Sequence, residues 1–231
     1  MSRFDLRHGD ALEEMHTIKE CSVAAIVTDP PYAGSRLQIS KTTKPDADWF
    51  VGDCMGSDSY LRWMRLIALE GMRVVENGGI AYVFIDWRQY VTMVTAWESA
   101  GWTLKNVVVW DKAKAGGLGA YWRNNHEWIC VFAKGRANWV KGSGQYNTWT
   151  GPKKRGGLHP TEKPVELLTF LQNGVAARGG VILDPFAGSC STGVAALTGG
   201  FSFIGIERDA RYINYGRDNL LRVGGASCPI H

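Results

Sequence analysis

The stretch Val23-Ala24-Ala25-Ile26-Val27-Thr28-Asp29-Pro30-Pro31-Tyr32 decides how this chain is read. Its first six residues are apolar or β-branched and carry no charge, the pattern of a parallel strand covered on both faces. Two prolines then end all pairing, because neither has a backbone N–H and both fix φ. A carboxylate (Asp29), a carbonyl held between two prolines (Pro30), the stiffening Pro31 and an aromatic ring (Tyr32) are left at the strand end. That set can hold a flat heterocycle bearing an exocyclic amine. Asp29 and the Pro30 carbonyl would each accept one amine hydrogen, and Tyr32 would stack on the ring. The same residues also read as a plain strand followed by a Pro-Pro turn.

Outward from this strand, apolar segments recur at 4–7, 80–85, 104–110, 128–133, 181–184 and 203–206. Helical periodicity fits 58–76, with Leu61, Met64, Ala68, Met72 and Val75 on one face and Asn77-Gly78-Gly79 as its stop. It also fits 88–100, with Val91, Val94 and Trp97 inward, and 161–177, with Pro164 in the first turn and Val165, Leu168, Leu171 and Val175 aligned. Shorter helices fit 192–197 and 209–222. Strands alternating with helices predict an α/β fold, a mainly parallel sheet with helices on both faces. The segments 104–110 and 128–133 read as an antiparallel pair at its edge. Residues 33–56 read as a long polar loop. Trp63 and Trp97 read as core.

The 231 residues suit one domain with an insertion, and 45% hydrophobic content suffices for a core. No apolar run approaches the roughly 20 residues of a membrane span, and the start has no secretory apolar region. The expectation is a cytoplasmic protein without membrane association. Five scattered cysteines without CxxC spacing predict reduced thiols and no metal site. The net charge of +4 is uneven. Residues 134–158 hold Lys134, Arg136, Lys141, Lys153, Lys154 and Arg155 and no acid, so the rest of the chain sums to −2. Trp139, Tyr146 and Trp149 are interleaved there. Such a loop can simply be solvated, but one sign of charge with aromatics also suits nucleic acid.

A second candidate site is the strand-to-helix turn Leu183-Asp184-Pro185-Phe186-Ala187-Gly188-Ser189-Cys190-Ser191-Thr192-Gly193. Small residues let a ligand approach the backbone. Glu207, 23 residues after Asp184, ends the next strand, where a nucleotide fold reads ribose hydroxyls. There is no GxGxxG and no Walker lysine. A carboxylate at Asp184 repels phosphate and suits an amino-bearing ligand such as S-adenosylmethionine, although the turn could also be an ordinary βα connection.

These blocks together resemble the amino DNA methyltransferases in their permuted order, the β class. Leu6-Arg7-His8-Gly9-Asp10 resembles the opening strand, Asp29-Pro30-Pro31-Tyr32 the catalytic motif, and His159-Pro160-Thr161-Glu162-Lys163-Pro164 the block before the cofactor half. Asp184 to Ser189 with Ile204-Gly205-Ile206-Glu207 resembles the cofactor turn and ribose acid. Tyr121-Trp122-Arg123 and His126-Glu127-Trp128 carry a weaker likeness. The resemblance implies a Rossmann-like, S-adenosylmethionine-dependent methyltransferase fold with a seven-stranded, mainly parallel sheet. Residues 134–158 would be a target-recognition insert within a single domain spanning 1–231. It further implies transfer of a methyl group to the N6 amine of adenine in double-stranded DNA, after the base has left the stack.

In that reading Asp10 and Ala11 meet the cofactor adenine, and Glu207 and Arg208 its ribose. Asp184, Phe186, Ala187, Gly188, Ser191 and Thr192 surround the methionine portion beside Asp29. His159, Thr161 and Lys163 close over it. Asp rather than Ser at position 29 favours adenine over cytosine N4, which stays as the alternative, as do methylation of RNA or protein and a catalytically silent DNA-binding module. A homodimer is common in the family. The family commonly has Gly where this chain has Cys190, and the expectation is ordinary φ there, in the first turn of the helix.

Overall fold

A computed structural model describes residues 3–32, 55–113, 121–139, 144–153, 162–175 and 179–224. The chain runs β1 (Phe4–His8), α1 (Ala11–His16), β2 (Val23–Thr28), α2 (Ser57–Val74), β3 (Val75–Ile85), a 3-10 turn (Trp87–Gln89) and α3 (Tyr90–Ser99). It continues with β4 (Thr103–Asp111), β5 (His126–Ala133), β6 (Thr148–Thr150), α4 (Val165–Gln172), β7 (Val181–Asp184), α5 (Ser191–Thr198), β8 (Ser202–Glu207) and α6 (Ala210–Gly224).

These elements build on one sheet, ordered β1-β8-β7-β2-β3-β5-β4-β6. The first five of these strands are mutually parallel, whereas β5 runs antiparallel to both neighbours. Every residue of β2 is buried, as its uniform apolar run requires. Alternation along β3 separates two cores. Ile80, Tyr82 and Phe84 pack with Leu167, Leu168 and Leu171 of α4, Ala195 of α5 and Leu220 of α6. Ala81, Val83 and Ile85 pack with Met15 of α1, Met64 and Ile67 of α2, and Met93 and Trp97 of α3. Helices that precede the basic segment thus cover one face, and those that follow it cover the other. Among the described residues no helix is long and apolar enough to cross a membrane. Cys21, Cys130 and Cys190 are free thiols.

Several expectations need correction. Among the described residues the sheet has eight strands, not seven, because Thr148–Thr150 inside the basic segment pairs with β4. Asn77-Gly78-Gly79 does not end a helix in coil. The helix stops at Val74 and the chain enters β3 at once, and these residues form an irregularity between the pairs Val23–Val75 and Ala25–Ile80. Gly78, at φ +85, there donates to Lys134 O at 2.8 Å. Val91 is solvent-facing, because α3 turns Met93, Ala96 and Trp97 inward instead. Pro164 caps α4 rather than sitting inside it. The short α1 carries no strong periodic signal and adds to the expected helices; Asp10 caps it by accepting from Leu12 N at 2.9 Å.

Candidate active site

Parallel pairing brings the ends of β1, β8, β7, β2 and β3 to one edge of the sheet, and each is followed or closed by an acid: Asp10, Glu207, Asp184, Asp29 and Asp86. The switch point lies between β2 and β7, where ligands bind in folds of this kind. The Thr28 hydroxyl donates to Asp184 Oδ1 at 2.8 Å across that junction, so the two motifs, 156 residues apart, share one hydrogen bond.

Asp184 is 3% exposed and also accepts from Phe186 N at 3.1 Å. Burial pushes its carboxyl up to about 6, against the lowering effect of hydrogen bonds from Thr192, Thr28 and Phe186. Phe186 packs on Trp63, with ring centroids 5.4 Å apart. Ala187 N donates to Ile206 O at 2.8 Å and Gly188 N to Glu207 Oε2 at 2.8 Å, so Glu207 is tied to the 183–193 turn. Glu207 Oε1 accepts from Asp209 N at 2.7 Å, and burial raises this carboxyl too. Ser191 and Thr192 are buried at the start of α5. Ala11 is buried and the Arg208 side chain is exposed, with its carbonyl 3.0 Å from His8 Nε2.

Cys190 departs from expectation. It adopts φ 59 and ψ 28, the left-handed region, where a non-glycine residue is strained by about 1–2 kcal/mol. The family's glycine at this place therefore answers a backbone requirement. The Cys190 side chain fits because α6 presents Gly216 opposite: a Cβ there would lie 2.5 Å from Cys190 Sγ. Burial pushes the Cys190 thiol well up, and it is chemically quiet.

Around Asp29 the structure adds contacts that the sequence reading did not give. The Tyr32 hydroxyl donates to Asp29 Oδ1, so this side chain bonds the candidate carboxylate in addition to presenting a ring. The Lys163 ammonium pairs with Asp29 Oδ2, while its neighbour Glu162 accepts from Ser191 at the head of α5, at 3.2 Å. These two adjacent side chains bridge the halves of the site. His159 and Thr161 lie outside the described residues. Because β5 is antiparallel, its first residues reach the same edge, with Trp128 opposite Ile85 and Glu127 opposite Trp110. Partly buried Glu127 contacts Lys112 at 2.5 Å, Lys163 at 3.5 Å and Lys153 at 3.9 Å. Burial alone would raise its carboxyl, but Lys163, Lys112 and Lys153 hold it down to about 2. Tyr32, Asp86, Trp87, Asn124, His126, Glu127 and Trp128 line a small pocket beside Asp29. Lys112 sits one residue past β4 and Glu127 near the start of β5. A charge at a strand boundary was the sequence signal for Lys112, and Glu127 had besides only the weaker family likeness of His126-Glu127-Trp128.

The chain matches the N6/N4 family of DNA methylases over residues 23–218. It is 33% identical over 225 residues to YubD of Escherichia coli (strain K12), named a methylase, covering 96% of this chain and 92% of that protein. It is 27% identical over 249 residues to the DNA adenine methyltransferase YhdJ of the same organism, covering 92% and 81%. Among solved structures it is similar to TTHA0409 of Thermus thermophilus complexed with S-adenosyl-L-methionine, with TM-score 0.74, 22% identity and 98% of each chain covered. It is also similar to the cytosine-N4-specific PvuII DNA methyltransferase, with TM-score 0.78, 17% identity, and 98% and 89% covered. With two motif-bearing strand ends joined at the switch point and a family match across most of its length, the chain belongs to the N6/N4 DNA methylases.

Proposed function

We propose that the protein is a β-class DNA methyltransferase that uses S-adenosylmethionine to methylate the N6 amine of adenine in double-stranded DNA. The observation that carries this reading is the Thr28–Asp184 hydrogen bond, which sets the amine-binding motif and the cofactor turn side by side. The residues fit the cofactor. Residues 183–193 hold no lysine or arginine, as suits a ligand without phosphate, and Asp184 offers a buried acceptor to an amino group and Glu207 a partly buried one to ribose hydroxyls. Bound there, S-adenosylmethionine supplies an electrophilic methyl group on its sulfonium.

The protein's part is positioning and electrostatics. An aryl amine is a poor nucleophile because its lone pair is delocalised into the ring. Hydrogen bonds to Asp29 and the Pro30 carbonyl draw the nitrogen toward tetrahedral geometry and localise that pair. The Asp29 carboxylate then faces the positive charge that develops on nitrogen. Reaching this site requires the base to leave the duplex, at a few kcal/mol. Aspartate at position 29 and the adenine specificity named for YhdJ favour N6 over N4.

The test is incorporation of labelled methyl into duplex DNA, with RNA as competitor, followed by mapping of the modified base. Wild type should yield N6-methyladenine, and Asp29→Ala should lower the rate about 10²–10³-fold. Equal, negligible incorporation by both would sink the enzyme reading, and N4-methylcytosine would replace the base assignment.

A further inference from the structure

Asp29 is already engaged. One oxygen takes the Tyr32 hydroxyl and the other the Lys163 ammonium. A target amine that donates to Asp29 must displace one of these, and an ammonium is much the stronger competitor. The amine also turns cationic as it is methylated, so a second positive charge on the same partly buried carboxylate opposes the reaction.

Lys163 has another anionic neighbour. Glu127 Oε2 is 3.5 Å from Lys163 Nζ, is buried, and accepts no hydrogen bond among the described residues, whereas Oε1 is taken by Lys112. Buried acceptors are seldom left open, because the lost hydration is not returned. A movement of Lys163 by roughly 0.7 Å would bring this pair to the length of a charged hydrogen bond, and a somewhat longer one would clear Asp29 Oδ2. Glu127 is held for it by the β5 register and by Lys112 and Lys153.

We infer that Glu127 is a positioning residue, the second seat of the Lys163 ammonium, which covers Asp29 while the base site is empty and moves onto Glu127 Oε2 when the target amine takes Asp29. This rests on the methyltransferase reading. Lys163 remains charged throughout: burial disfavours its proton, but Asp29 and Glu127 more than offset that. It therefore acts as a movable charge and takes no proton from the amine. The competing role for Glu127 is purely structural, neutralising Lys112 and Lys153.

A double-mutant cycle separates the two. In single-turnover methyl transfer, Glu127→Gln should slow the chemical step about tenfold or more with cofactor affinity unchanged, because Lys163 is left on Asp29. Adding Lys163→Met should make the double variant faster than Glu127→Gln alone, since the charge that needed a seat is gone. Losses that multiply, or a Glu127→Gln variant at the wild-type rate, would overturn the inference. A second readout needs no turnover. The nitrogen-15 signal of the Lys163 ammonium, assigned through Lys163→Met, should shift when adenosine or cytidine is added to wild type and stay fixed in Glu127→Gln. No shift in wild type also overturns the inference. A shift in a protein that methylates no DNA would retain the second seat and reject the methyltransferase reading.

Discussion

Cys190 shows how one residue's conformation is settled by another far along the chain. Its left-handed backbone is tolerated because Gly216 leaves room for Sγ. Gly216→Ala should therefore destabilise the protein by about 1–3 kcal/mol through overpacking. In a Cys190→Gly background the same change should cost at least about 1 kcal/mol less, as measured by urea midpoints. Additive losses would show that the two sites do not touch. Asp184 makes a prediction about pH. Its folded value of about 6 exceeds an unfolded value near 4, so between those pH values the folded chain holds a proton that the unfolded chain has released. Stability falls as pH rises through that window, by about 3 kcal/mol in all. Asp184→Asn keeps an oxygen for Thr28 and Phe186. It should erase that slope and raise the urea midpoint at pH 7.5 while weakening the cofactor site; an unchanged slope would assign the effect to another group. Glu127 has the opposite sign. Held down to about 2, it contributes stability above about pH 4 that is lost as pH falls toward 2.

At the scale of elements, the basic segment divides. The Lys134 ammonium donates to Val75 O at 2.7 Å, and Asn138 N donates to Gly78 O, both at the sheet edge opposite the active site. From Ile80 to Ile85, β3 spans roughly 17 Å, so this end cannot help grip a base at Asp29. The chain then returns through β6 as an added edge strand, fastened where Trp110 Nε1 donates to Gly151 O at 2.8 Å, and delivers Lys153 to the catalytic edge. Lys134→Met should accordingly cost about 1 kcal/mol of stability and leave the salt dependence of DNA binding unchanged. Replacing Lys153, Lys154 and Arg155 with alanine should make that dependence shallower by about 0.9 for each phosphate no longer neutralised. The last two lie outside the described residues. A slope that changes with Lys134 and not with the 153–155 cluster would reverse this assignment of the two ends.

At the scale of the molecule, the half that carries Asp184 and Glu207 (β1, β7, β8) and the half that carries Asp29 (β2, β3) are joined through the β2–β7 pairing, and the candidate site lies across the join. Ligand binding there should stabilise the whole domain. S-adenosylmethionine at 100 times its Kd adds about 2.7 kcal/mol, or a rise in Tm of about 5–11 °C for a domain of this size. The Asp184→Asn variant should show little of that rise, and a full rise would place the cofactor elsewhere.

The sequence by itself determined the buried central strand, the alternation of strands and helices, and the residue types at Asp29–Tyr32, Asp184–Thr192 and Glu207. Those are local properties: hydrophobic period, proline and glycine stops, and motif spacing do not depend on distant neighbours. Tertiary structure alone decided the rest. An antiparallel β5 carried Glu127, and the end of β4 carried Lys112, to the sheet edge that holds Asp29, an eighth strand formed within a polar segment, and Cys190 took a glycine's conformation against Gly216. It also placed Lys163 on Asp29, 134 residues away. Charge pairing and strand register depend on which segments meet across the sheet, and no local pattern records that.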